Sequence, residues 1–170
     1  MSLLRWVEPQ LSKLSKKAPS AHNTVDRAAQ AARVFHTAAN QLERLRGDAK
    51  PDANIDTAYL DEMLGMLGGV TVLQALALEL VLKARLLQAG INPPKWHSHS
   101  DLFALLPETD QQVAGEIYQA NRHSAMPGTL AEVLNFSAKA YERWRYHNEQ
   151  PEEASLGEMQ RAFDVLVAPL

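Results

Sequence analysis

A chain of 170 residues can bury one hydrophobic core but is too short to promise two, and its formal charge of -3 excludes a broadly basic nucleic-acid coat. The lack of cysteine excludes a disulfide framework and thiolate chemistry, a usage that suits the cytoplasm. With 46% hydrophobic residues, and with Ala, Leu, Glu, Gln, Arg and Lys carrying much of the sequence, an all-α fold is expected.

The opening residues, Met1 to Pro9, hold no sustained apolar stretch of the kind a signal peptide needs. Leu3, Leu4, Val7, Leu11 and Leu14 recur at helical spacing, but Pro9 limits this helix and Lys13, Lys16 and Lys17 lead into a break at Pro19. Residues 1–22 therefore read as an N-terminal helical arm, and residues 23–170 as one helical bundle. From about Thr24 to Arg46, the residues Val25, Ala28, Ala32, Phe35, Ala39 and Leu42 form one apolar stripe of a packed helix, which Gly47 to Asp52 end in a loop. His22 and His36 read as surface or packing residues.

The next helix is expected from about Asp56 to Ala89, with acids early, then Gly90 and the Pro93-Pro94 stop. Its middle is apolar on nearly every face, as suits a helix surrounded by others, and Gly65, Gly68 and Gly69 would permit close approach or a kink. Its most apolar run, Gly69 to Leu87, is broken by Gln74, Glu79, Lys83 and Arg85, charges that are costly in a bilayer, so no membrane association is expected. Glu79 and Lys83 stand four apart with the acid first, the favourable order for an ion pair along one face.

Later helix starts carry the reciprocal capping pattern: Thr109 with Gln112, Thr129 with Glu132 and Ser155 with Glu158, with Ser98 and Asp101 as a weaker relative that opens a short helix ending at Pro107. The total is a single bundle of about five main helices with short accessory ones, without internal repeats. On the helix from Leu130 to about Gln150, the residues Leu130, Leu134, Ser137, Tyr141 and Trp144 return to one buried face. The same helix ends in the densest polar segment of the chain, Tyr141 to Glu149, in which Arg145 flanks the stripe and is able to pair with Glu149, lie against Tyr141, reach a phosphate or meet Glu79 across helices.

His97-Ser98-His99-Ser100-Asp101 has the alternation of a metal-binding loop, as in metallo-β-lactamase-like proteins, with His123 as an isolated further ligand. Leu102 stands where those proteins continue with another histidine, and their αβ sandwich does not fit a helical chain, so a polar loop with an N-cap is preferred and no metal or cofactor is assigned.

Ala75-Leu76-Ala77-Leu78-Glu79-Leu80-Val81-Leu82-Lys83-Ala84-Arg85-Leu86-Leu87, then Gly90, then His99-Ser100-Asp101-Leu102 running to Leu105-Leu106-Pro107, and finally Ser137 through Trp144-Arg145-Tyr146 to Glu149, together resemble prokaryotic HEPN domains. The resemblance is strongest over residues 70–150. It implies an α-helical bundle, frequently a homodimer, that binds a nucleotide or RNA in a toxin-antitoxin or phage-defence setting, beside a possible cognate protein. It also implies ligand-binding roles for Glu79, Lys83, His99, Asp101, Arg145, Tyr146 and Glu149.

Ribonuclease members of that family use an arginine followed by four to six residues and a histidine, the histidine moving a proton at the 2'-hydroxyl while the arginine stabilises phosphate charge. Arg143 and His147 are the corresponding catalytic candidates, but only three residues separate them, and Ser100 stands where the family has a histidine before the Asp-Leu pair. Enzymatic activity is therefore left open. The alternative is a non-catalytic homodimeric or partner-binding module in which Tyr141, Trp144 and the central helix bury an interface.

Overall fold

A computed structural model describes the backbone over residues 21–48, 57–121, 128–145 and 154–170, with side chains over 24–47, 62–121, 128–138 and 156–170. The described residues form α1 (Ala21–Asp48), α2 (Thr57–Gln88), α3 (His99–Ala104), α4 (Glu108–Ala120), α5 (Leu130–Arg145) and α6 (Ala154–Val167), and no strand is present among them. The all-α fold is as the composition predicts: five long helices and one short one. The N-terminal arm of residues 1–22 lies outside the described residues except for its last two, which begin α1.

The central helix is α2, observed within a residue of both expected ends. Leu78, Val81, Leu82 and Leu86 have no exposed surface, and neither do Ala77 and Ala84, so the helix is enclosed on several sides rather than along one stripe. It packs most extensively against α1 and also meets α3, α5 and α6, while α4 seats on α5 and α6. Each neighbour contributes an apolar face: Ala29, Ala32 and Ala39 from α1, Leu102 and Phe103 from α3, Leu130 and Leu134 from α5, and Met159, Ala162, Phe163 and Leu166 from α6. By length and composition Glu62–Gln88 could also cross a membrane. The cover supplied by the surrounding helices gives its hydropathy another cause, since the core helix of a bundle has no polar face to keep.

Gly69 explains how α1 approaches so closely, because a Cβ there would lie 2.8 Å from Leu42 Cδ2. Gly65 plays no such part, having no atom within 4 Å of that position. At the other end of α2, Gly90 takes φ +75°, its N–H donating to the Leu87 carbonyl at 3.0 Å and the Ile91 N–H to the Leu86 carbonyl at 2.8 Å. This is the Schellman termination, in which a left-handed residue lets the chain turn back over the last carbonyls of the helix.

The capping expectations divide. Thr129 and Glu132 form the full reciprocal box, with Thr129 N–H donating to Glu132 Oε2 at 2.6 Å and Glu132 N–H to Thr129 Oγ1 at 3.3 Å. Ser98 caps α3 by accepting from Asp101 N–H at 3.4 Å. The box expected at Thr109 is replaced by an earlier start: Pro107 is the N-cap residue of α4, its carbonyl accepting from Asp110 and Gln111 N–H at 2.9 and 3.0 Å, and Gln112 turns to Glu116. Proline's fixed φ suits that entry without a side-chain cap. At α6 the helix begins at Ala154, and the Glu158 carboxylate receives the Tyr118 hydroxyl and Arg161, while the side chain of Ser155 lies outside the described residues.

Candidate functional site

The region that gathers chemistry begins on α2 with Glu79, which is only 9% exposed in an otherwise apolar helix. Such a carboxylate needs partners, and among the described residues it has two: Lys83 Nζ at 2.6 Å, one turn along, and His97 Nδ1 at 2.8 Å from the loop beyond α2. The loop reaches it by folding back along the helix after Gly90. Seven extended residues span up to about 23 Å, more than the roughly 14 Å of helix between Glu79 and Gln88, so the run through Pro93 and Pro94 has length to spare. Burial pushes the Glu79 pKa up, but the hydrogen bonds from Lys83 and His97 and their charges outweigh it, so the group sits below its ordinary value.

Two residues on, His99 faces inward and is 3% exposed. Its Nδ1 lies 2.7 Å from Ser137 Oγ, and Ser137 Oγ lies 2.9 Å from the Leu134 carbonyl. The Ala75 carbonyl, one turn before Glu79, also hydrogen-bonds the ring. The serine proton can go to Leu134 or turn to the imidazole Nδ1. Burial drives the His99 pKa down to about 4, with the nearby Glu79 charge opposing only in part.

His97 and His99 thus point to opposite sides of the chain where the loop enters α3, His97 outward at 69% side-chain exposure and His99 into the core. The alternation that resembled a metal loop separates the residues instead of converging them, and no group of three metal-ligating side chains occurs among the described residues. His99 was expected as a ligand-binding residue. It is enclosed as a buried tie between α3, α2 and α5. Asp101 is exposed in the first turn of α3, on which its charge suits the helix dipole. Trp96, between Lys95 and His97 in the chain, is 54% exposed, an aromatic side chain that sequence reasoning passed over.

The Ser137 tie also anchors α5. Leu130, Leu134 and Ser137 are buried as the stripe predicts. Beyond them, Arg143 and Arg145 lie roughly 9 and 12 Å farther along the helix axis. Both are within α5, whose described backbone ends at Arg145; the side chains of Tyr141, Arg143, Trp144 and Arg145, and the residues Tyr146, His147 and Glu149, lie outside the described residues. The expected pairing of Arg143 with His147, and of Arg145 with Glu79 or Glu149, therefore falls outside the described residues.

A second polar cluster was not foreseen. His36 Nδ1 donates to Gln74 Oε1 at 3.1 Å, Gln74 Nε2 donates to Asn40 Oδ1 at 3.3 Å, and Asn40 Nδ2 donates to His36 Nε2 at 3.0 Å, which closes a ring between α1 and α2. The imidazole stacks on Phe163 at 4.0 Å, so His36 is a packing residue, one of the two readings open for it. The i, i+4 spacing of His36 and Asn40 was visible in the sequence, but the glutamine that completes the ring is 38 residues from the histidine.

Residues 52–166 match the HEPN domain. The chain belongs to the HEPN domain family. The match extends beyond the segment in which the sequence resemblance was strongest and takes in α2 through almost all of α6. HEPN domains are helical, nucleotide- and RNA-related modules. No significant match was found among curated proteins or among solved structures.

Proposed function

We propose that this HEPN domain binds a nucleotide or RNA, acting as a cytoplasmic homodimer in a toxin-antitoxin or phage-defence setting alongside a cognate protein. The observation that carries the reading is family membership over residues 52–166, in a chain whose α5 bears Arg143 and Arg145. Trp96, more than half exposed on the loop beyond α2, offers a base a stacking surface. Cleavage would need His147 to move the 2'-hydroxyl proton and Arg143 to stabilise phosphate charge, with spacing one residue shorter than the family pattern.

The deciding experiment incubates mixed RNA, and separately ATP, with the wild-type protein and with His147→Ala at low salt, where phosphate attraction is strongest. Binding retained in the variant with cleavage lost supports a ribonuclease. Binding without cleavage in either protein supports a recognition module. Absence of both at low salt overturns the proposal and favours a non-catalytic interaction module, in which Trp144→Ala impairs assembly and His147→Ala changes nothing.

A further inference from the structure

At the C-terminal end of α2, Arg85 is 7% exposed and its guanidinium makes no hydrogen bond to any described residue. Its Nε is buried without a partner, and the nearest counter-charge, Asp110 Oδ2, is 3.6 Å from Nη2, beyond hydrogen-bonding distance. Nε, one of the five donors on its fixed planar fork, is thus unsatisfied, where buried polar groups are normally paired. The C-terminal dipole of α2 favours a cation here, but a dipole supplies no acceptor at the N–H groups.

The guanidinium lines an open groove of about 390 Å³, whose other walls are Gln88, Ala89, Thr109, Asp110, Val113 and Pro169. The first turn of α4 adds the Thr109 hydroxyl and backbone N–H groups that have no carbonyl within their own helix. Ala89, Val113 and Pro169 make the rest of the wall apolar. Arg85 lies six positions after Glu79, which turns it to a different side of α2, so this groove is distinct from the cluster around His97.

We infer that this groove is a binding site for a small monocarboxylate with a compact apolar body. The planar fork of Arg85 matches a carboxylate with two parallel N–H···O bonds. Asp110 selects the charge of the ligand: a second negative group in the groove disfavours a phosphate dianion more than a monoanion. The apolar walls then take the body of the ligand, and the volume falls within the range of small-molecule sites.

The test titrates full-length protein with benzoate, and in parallel with inorganic phosphate at matched ionic strength, following backbone amide shifts in NMR spectra. Saturable shifts centred on Thr109 and Val113 are expected with benzoate, at least about tenfold weaker in Arg85→Met and strengthened about threefold in Asp110→Asn, which removes the competing charge. No saturable shift there in the wild type overturns the site. An unchanged response in Arg85→Met overturns the role of the guanidinium, and if that variant does not fold, a failure of Asp110→Asn to strengthen binding does the same. Phosphate binding as tightly as benzoate overturns the carboxylate assignment. None of these readouts depends on RNA or nucleotide binding.

Discussion

His99 Nδ1 and Ser137 Oγ lie 2.7 Å apart in the buried contact between α3 and α5, joining residues 38 apart in sequence. Ser137→Ala removes the hydroxyl and leaves the imidazole without that partner. A loss of about 1–3 kcal/mol is expected in denaturant unfolding, the cost of one unsatisfied buried polar group. A change below a few tenths of a kcal/mol would contradict the tie.

The same histidine predicts a pH dependence with a definite sign. Its pKa falls from 6.5 to about 4 on folding, so the unfolded chain takes up a proton that the folded one refuses. The neutral ring is without penalty above pH 6.5, and stability declines as pH drops toward 4, by about 3 kcal/mol in full. Unfolding curves collected across this window should show the decline in the wild type and a flatter profile in His99→Gln.

Glu79 behaves as a depressed carboxylate, so the stability that it contributes is present above its unfolded pKa and is lost as pH falls through the lower folded value. At neutral pH, Glu79→Ala leaves Lys83 and His97 without their shared acceptor. A loss of about 1–3 kcal/mol is expected by chemical denaturation, with a smaller one for Glu79→Gln, which keeps an acceptor oxygen.

Gly90→Ala tests the end of α2. Nothing lies within 4 Å of an added Cβ, so the cost is purely that of holding φ +75° with a side chain. Thermal unfolding should report a loss of about 1 kcal/mol, without any change in helix content.

Trp96→Ala separates binding from folding. More than half of its surface is exposed, so the fold should hold while RNA affinity falls by about tenfold or more, the value of one stacked base. Unchanged affinity would remove Trp96 from the interface.

What the sequence determined by itself was what local physics dictates. The early acids and the stop at Gly90 and Pro93-Pro94 placed α2 within a residue of each end, the box at Thr129 and Glu132 formed as its residue types require, and Glu79 found Lys83 because both sit one turn apart on the same helix. The stripe of Leu130, Leu134 and Ser137 was equally legible, since position on a helix fixes which face a residue shares. Tertiary structure alone decided the rest. It sent His97 outward to Glu79 and His99 inward to Ser137, closed the ring of His36, Asn40 and Gln74, and left Arg85 buried beside a groove without a hydrogen bond among the described residues. These contacts join residues distant along the chain, and their partners depend on how helices pack and loops return, which no local spacing encodes.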